Sequence, residues 1–436
     1  LFENKKRNNE RYSSWKDTME SKNLVDLADL KVLESGSITG IPINHIIVHV
    51  QWHADELFAV WLLRKFGKQH FPGIENAKVV FARDIQFRGD DYYDQKQQLP
   101  VGSGGGRFDE HRENGRLDNM SACRLVAKHL GLEYDQDFKP LISRINHCDN
   151  NAGCHAFELS ELVKVMGRRM SGGEHLLLKV FEPVFGALTD TAIAHVAKSG
   201  EKSLVDLFRE WIERSDRHEK VRARMFQLAY ESVRSENITS LSNMTTQLQR
   251  HGMSVPDVQE WVMTVFEQVY ADQLEFWNVL DEAENSVKTH TLHGKVPISI
   301  VTHDNPLALK AMRYRKERAD GIIVIRQKKG NTQIFVGDKD ISTLVAMLRW
   351  MELPPELKND VSWQELQKAG EFSINGNTRM PIWYHDIKAG ALYNGSTTHP
   401  DVPPTKIADR AIIEAIQHAF DYNLILRWKN VRGIRR

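Results

Sequence analysis

Ile46-Ile47-Val48-His49-Val50-Gln51-Trp52-His53-Ala54-Asp55-Glu56-Leu57-Phe58-Ala59-Val60-Trp61-Leu62-Leu63-Arg64-Lys65-Phe66-Gly67 is the stretch whose reading decides the fold. Ile46 to Val50 is a short apolar run broken only by a histidine, the pattern of a strand covered on both faces. From Leu57 the apolar residues recur at helical spacing and stop at Gly67, so a helix is predicted there. Open α/β sheets bind ligands where a strand end feeds a helix N-terminus. His49, His53, Asp55 and Glu56 stand at that junction. Imidazoles with carboxylates suit a divalent ion of the manganese, zinc or iron kind, and the helix N-terminus favours an anion beside it. The competing reading makes the histidines strand-end residues and Asp55 a helix cap. It accounts for each residue singly but not for the set.

At 436 residues the chain is long enough for two or three domains. Apolar residues make up 41% and charged residues 27%, a soluble globular composition. No apolar run approaches the ~18 residues of a membrane span, and the start of the chain lacks the apolar core of a secretory signal. Three cysteines, an odd number, do not make a disulfide framework, so a reducing cytoplasmic setting is expected. Lysine plus arginine equals aspartate plus glutamate at 58 each. That balance argues against a sequence-blind grip on long duplexes. It leaves room for local basic patches and for small or single-stranded substrates.

Residues 1–42 read as a polar N-terminal arm with one short helix near 24–30. Residues 43–155 alternate strand and helix. Lys78 to Asp84 reads as a strand ending in the Asp84 carboxylate; 90–98 reads as a loop. The glycine run 102–106 either brings backbone amides close to a phosphate or serves as a flexible turn. Asp109-Glu110-His111 follows, three ligands or proton carriers in a row. Helices are predicted over 119–130, closed by Gly131, and over 138–148. Asp149 falls on the same face as Ile142 and Ile145, which points it inward. A carboxylate aimed at a core must be paired, protonated or metal-bound. His147, Cys148, Asp149, Cys154 and His155 match no closed zinc spacing, and Cys148 is expected as a buried thiol.

Residues 156–290 read as a helical insert. Its aromatic stripes (Leu204, Phe208, Trp211, Ile212; Val258, Trp261, Val262, Val265, Val269) have the spacing of packing surfaces rather than base-stacking platforms. The insert covers the site or offers a surface for a second copy or a protein partner. Strands at 298–301, 321–325 and 332–336, helices near 305–318 and 341–352, and a last helix over 406–428 make 291–436 a smaller α/β domain. Lys310, Arg313, Arg315, Lys316 and Arg318 crowd one helix, either as a solvated face or as phosphate contacts. Arg379, His385, Gly390, Gly395, Thr397 and Thr398 offer a guanidinium, an imidazole, hydroxyls and close backbone approach. They are the candidate substrate-binding set.

Taken in order, His49-x-x-x-His53-x-Asp55-Glu56, Arg83-Asp84, Val101-Gly102, Phe108-Asp109-Glu110-His111, Ser121-Ala122 and Cys148-Asp149-Asn150 resemble the Myg family of metal-dependent RNA exonucleases, related to the DHH phosphoesterases. The segment Trp383-Tyr384-His385-Asp386 followed by Ala389-Gly390-Ala391-Leu392-Tyr393-Asn394-Gly395-Ser396-Thr397-Thr398 resembles that family's substrate-binding segment. The likeness covers 42–155 well and 296–420 loosely. Where the family has Asp-Val-Gly this chain has Pro100-Val101-Gly102, and Asp-His-His becomes Asp109-Glu110-His111. Asp84, or one of Asp90, Asp91 and Asp94, is the candidate replacement for the missing bridging aspartate.

The resemblance implies a DHH-like parallel-sheet domain, the helical insert, and a second α/β domain with the active cleft between. It implies a metal-dependent phosphodiesterase or exonuclease acting on single-stranded or short oligonucleotides. His49, His53, Asp55, Asp84, Glu110 and Asp149 would be metal ligands, with Mn2+ expected ahead of Mg2+ or Zn2+, and Asp109 and His111 would be catalytic. The alternative is a degenerate DHH-like module that binds a nucleotide or oligonucleotide signal without cutting it and recruits a partner through its insert.

Overall fold

Parallel pairing dominates one part of the chain and antiparallel pairing the other, which makes this a mixed α/β structure. The computed structural model describes residues 40–436 apart from 83–86, 113–114, 152–153, 170–173, 191–203, 214–217, 293–295, 315–319, 338, 359, 369, 375–377, 388, 396–401, 433 and 435–436. For 112, 115–116, 174–175, 205, 213, 371–374 and 378–382 it describes the backbone alone. The helix expected near 24–30 lies outside the described residues. Ile41–Arg436 forms one compact unit.

Strand β1 (His45–His49) is the centre of a three-stranded sheet, with β2 (Lys78–Ala82) on one side and β3 (Gln98–Pro100) on the other, all parallel. Ile46 and Val48 on one face are fully buried and Ile47 on the other is 9% exposed, as a strand covered on both faces requires. Helix α1 (Ala54–Phe66) follows, and every residue from Ala54 to Leu63 is buried. Helices α2 (Ala122–His129) and α3 (Lys139–Asn150) pack beside it. Each fully buried Leu or Phe of such a helix contributes about 1.5–3 kcal/mol.

The stretch expected as a loop over 90–98 is partly helical, and β3 begins at its last residue. A short helix, Asp90–Asp94, precedes it, and Arg107 ties the helix down. The Arg107 Nε donates to Asp90 at 3.1 Å and a second guanidinium nitrogen donates to Asp94. A polar local pattern is ordered here by a partner from further along the chain.

Helices α4 (Leu159–Arg169), α5 (Glu174–Thr189), α6 (Leu204–Glu213), α7 (Glu219–Arg234) and α8 (Leu241–Arg250) come next. Of these, α4, α6, α7 and α8 pack against α9 (Val255–Ser286), whose 32 residues span about 48 Å at 1.5 Å per residue. Leu204, Phe208 and Trp211 are at most 3% exposed, so this stripe packs rather than presenting its rings to solvent. Phe185 of α5 meets Phe58 and Trp61 of α1 at 5.0 and 5.7 Å, joining these helices to the first sheet.

The second sheet has seven strands: β4 (Lys288–Leu292), β5 (Val296–Thr302), β6 (Ile322–Arg326), β7 (Thr332–Phe335), β8 (Gly370–Ile374), β9 (Thr378–Asp386) and β10 (Ala391–Asn394). They run in the order β8-β9-β10-β7-β6-β5-β4. Only β5 and β6 are parallel, and α10 (Ala308–Tyr314) crosses between them, since parallel neighbours need a crossover. Period-two alternation sends Ile298, Ile300, Ile322 and Val324 to one face, against α11 (Ser342–Glu352), α12 (Asp409–Ala419) and α13 (Tyr422–Val431). Val301, Ile323 and Ile325 go to the other face, against the end of α9 and α10.

The last helix, expected unbroken over 406–428, is two helices. The Asp421 carboxylate accepts from the amides of Asn423 and Leu424 at 2.9 and 3.1 Å, starting a new helix with an N-cap. The cysteine expectation also changes: Cys148 and Cys154 are disulfide-bonded, with Cα atoms 5.7 Å apart, and Cys123 is a buried free thiol. A six-residue separation brings the two sulfurs together once α3 ends between them. Non-reduced native protein is therefore expected to show no fast-reacting thiol toward Ellman's reagent, one after unfolding, and three after unfolding with reductant. Two rapidly titrating thiols in the native, non-reduced chain would contradict the pairing. Among the described residues no helix is long and apolar enough to cross a membrane.

Candidate metal centre

The strand order β2-β1-β3 makes the carboxyl end of β1 a topological switch point, because the chain leaves β1 to one side and returns on the other. The loops leaving β1 and β3 meet there. Val101 donates its amide to the Ile47 carbonyl at 2.9 Å, so the glycine run begins beside His49.

His49 ends β1, and its Nδ1 lies 2.6 Å from Oε1 of Glu56. The other Glu56 oxygen accepts the His53 amide at 3.1 Å, closing a capping box on α1. Burial opposes protonation of His49. The hydrogen bond and charge of Glu56, with Asp109 and Glu110 behind them, outweigh it and raise the imidazole above its ordinary value. Gly102 is required at its place: its φ is +69°, and a Cβ there would meet Glu56 Oε1 at 2.9 Å. The glycine nearest the cluster thus makes room for a carboxylate.

His53, Asp55 and Asp149 form the central group, each with a ligand atom within 4.8 Å of the others. Nδ1 of His53 is 4.0 Å from Asp149 Oδ1. Asp55 is 3% exposed in the first turn of α1. Burial, then the charges of Asp149, Glu56 and Glu110, push its carboxyl well above the usual range. Asp149 reaches the group from the end of α3. Asn146 donates to Asn119 Oδ1 at 2.9 Å and Asn150 to the Met120 carbonyl at 3.2 Å, fixing α3 against the loop before α2.

Asp109, Glu110 and His111 form a second set of close ligand atoms. Burial works against the charge of Asp109, but His111 Nδ1 at 3.0 Å and the amides of Gly105 and His111 at 2.7 and 2.8 Å hold its carboxyl below the usual value. His111 itself is 56% exposed, so the ring is anchored on one side and open on the other. Beneath the cluster, burial and then Asp55 push the Cys123 thiol well up.

Buried carboxylates crowded with imidazoles fit a divalent cation, which would offset the like-charge repulsion that Asp55 registers. Of the residues named from sequence, the structure brings together His49, His53, Asp55, Asp109, Glu110, His111 and Asp149. Asp84, Thr397 and Thr398 lie outside the described residues. Arg379 is described by its backbone alone, in β9 opposite Ser373 of β8. His385 is 3% exposed, with Nδ1 at 3.2 Å from the Gln367 carbonyl. Gly390 has φ +58° and lies against the Gly337 backbone where no Cβ would fit. Gly395 follows β10 with φ +78°.

Sequence alone places Glu56 among cation binders but outside the ligand set. The signal for its actual role is its spacing three residues after His53, the capping-box distance. Its bond to His49 assigns it to orienting that ring. Glu56→Gln keeps the shape but exchanges an acceptor-only carboxylate for an amide. About a 10–100-fold loss of metal affinity is expected, as for other partners that orient a ligand histidine. Isothermal titration with Mn2+ reads it, and unchanged affinity would assign Glu56 to the cap alone.

No family model matches the chain, and no curated protein matches it. Among solved structures, the chain is similar to a DHH domain described as a member of the s1p family of ribosomal proteins, at 12% identity and a TM-score of 0.38, over 86% of this chain and 87% of that one. It is also similar to RecJ from Thermus thermophilus in complex with Mg2+, at 12% identity and a TM-score of 0.30, over 71% of this chain and 44% of that one.

Proposed function

We propose that the chain is a metal-dependent phosphodiesterase of the DHH type that hydrolyses single-stranded or short oligonucleotides. The observation that carries this reading is the convergence of His53, Asp55 and Asp149 at the carboxyl end of β1, with Asp109 to His111 alongside. His53, Asp55 and Asp149 would hold the ion, with His49 and Glu110 next to them and Mn2+ the expected metal. Bound there, a divalent cation supplies an acidified water and polarises a phosphoryl oxygen.

The chain's own part follows from geometry. Asp109 accepts from His111 Nδ1 and so fixes the proton there, leaving Nε2 on the open side to meet a phosphate or the leaving oxygen. Glu56 does the same for His49. The amides of Gly105 and His111 keep Asp109 charged for that task. The substrate-binding set of the second domain remains part of the proposal through Arg379, Gly395, Thr397 and Thr398.

The test is a panel of end-labelled di- to decanucleotides, RNA and DNA, incubated with Mn2+, Mg2+ or EDTA. Shortened products with Mn2+ and none with EDTA are expected. Saturable binding without product under every metal would replace hydrolysis with the signal-binding reading.

A further inference from the structure

Beside α10 runs a groove of about 380 Å3 lined by Pro306, Leu309, Lys310, Arg313 and Tyr314. Lys310 and Arg313 are three residues apart on one helix and so share a face, and both are exposed. No acidic side chain lines the groove, and among the described residues neither cation is in an ion pair. Tyr314 is 54% exposed, yet its ring is propped edge-on by Phe276 at 5.6 Å and Trp277 at 5.4 Å. A ring held in this way loses little freedom when a second planar group lies on it.

The second sheet carries a further exposed aromatic surface. Helices α9 and α10 cover the face over β5, β6 and β7, but Tyr384 on β9 is 44% exposed. Tyr384 pairs with Tyr393 of β10, their rings 6.5 Å apart. Burial pushes the Tyr393 hydroxyl up to about 12; the charges of Asp386 and Tyr384 add to this and that of Arg313 opposes it, so Arg313 and Asp386 both lie near this end of the sheet.

This surface is also held in fixed relation to the metal centre. Helix α4 packs against α1, which carries Asp55, and Arg169 at the end of α4 bonds Glu275 of α9. Glu275 accepts from Asn305, the residue before Pro306.

Cations on one edge and fixed aromatic faces on the other match a polyanion with exposed planar groups. A single-stranded nucleic acid has both; a duplex hides its base faces in its own stack, and an acidic peptide has no planes. We propose that the α10 groove and the open sheet end beside it bind the body of a single-stranded oligonucleotide, with phosphates on Lys310 and Arg313 and a base on Tyr314. The use of this grip, holding a strand while its end is cut, rests on the phosphodiesterase reading; the binding itself does not.

Binding of labelled decauridylate to the full chain in EDTA, followed by fluorescence anisotropy, tests it separately from hydrolysis. Arg313→Glu with Tyr314→Ala is expected to weaken binding at least tenfold, and Tyr314→Phe to leave it within twofold, because stacking needs the ring and not the hydroxyl. Hydrolysis of a dinucleotide with Mn2+ should be unchanged in the double variant, which also reports that it folds. No decauridylate binding by the native chain in EDTA, or an unchanged dissociation constant in the double variant, would overturn the groove while leaving dinucleotide hydrolysis standing. Equal affinity for a decaglutamate peptide would overturn the stacking claim. Absence of dinucleotide hydrolysis with retained decauridylate binding would remove the phosphodiesterase reading alone.

Discussion

Asp55→Asn is expected to lower the proposed Mn2+-dependent hydrolysis of a short oligonucleotide by about 10^3-fold or more and, in the same protein, to raise the thermal midpoint of the metal-free chain. A loss of that size is ~4 kcal/mol in barrier height, reasonable for removing a carboxylate that would bind the ion directly. The gain in stability comes from the same side chain. Asp55 is buried, with the charges of Asp149, Glu56 and Glu110 acting on it, so ionising it costs more in the folded chain than in the unfolded one.

Its folded carboxyl therefore titrates above its unfolded one, and the folded state binds more protons. Stability contributed by that proton is complete below the unfolded value and is lost as pH rises through the folded value. Asparagine removes the titration, so the metal-free variant should lose less stability between pH 4 and neutrality than the native chain. Saturating Mn2+ should stabilise the native chain and leave the variant nearly unmoved, since a ligand stabilises only what it binds. Parallel melts with and without EDTA, beside the hydrolysis assay, give all three readings. Native-level cleavage by Asp55→Asn, or by His53→Ala, would remove these residues from the centre.

Arg349→Met should cost about 3–5 kcal/mol of stability, the largest effect expected of a single change outside the metal centre. Arg349 lies on α11 and is 3% exposed. Its guanidinium donates to the carbonyls of Trp383 at 2.9 and 3.1 Å, Leu366 at 2.9 Å, Lys368 at 2.8 Å and Gly370 at 2.7 Å. Burial pushes its pKa down to about 10, so it stays charged at neutral pH.

A planar fork of five donors serves four carbonyls on two stretches of chain, Leu366 to Gly370 and Trp383. These segments bring the Trp363–Gln367 helix, the start of β8 and the middle of β9 together. Methionine fills the space and leaves the carbonyls without that donor, each in a place where water enters poorly. Arg349→Lys should recover less than half of the loss, because an ammonium cannot reach all four. Urea unfolding followed by circular dichroism measures both; a change below 1 kcal/mol for Arg349→Met would mean that water replaces the guanidinium.

Ile46 to Gly67 was legible as strand, junction and helix because its signals are local. A short apolar run, a 3.6-residue repeat and a terminal glycine need no knowledge of the rest of the chain. Asp149 was legible too, since its distance from Ile142 and Ile145 along one helix sets its direction. Asp109 to His111 could be named as a group, but not the role of each member, because that depends on which amides reach the carboxylate. The Asp90–Asp94 helix was hidden in a polar stretch whose order comes from Arg107 binding Asp90 and Asp94. The Cys148–Cys154 pair was missed because an odd cysteine count says nothing of which two sulfurs meet.

By itself the sequence determined where the strand-to-helix junction lies, that histidines and carboxylates crowd it, and that two α/β regions flank a helical one. Only the tertiary structure decided that Glu56 serves His49, that Gly102 makes room for it, and that Asp55 and Asp149 share one field of charge. The reason is range: periodicity and capping act over a few residues, whereas a carboxylate's partners and its proton are set by whatever the fold brings within a few ångströms from far along the chain.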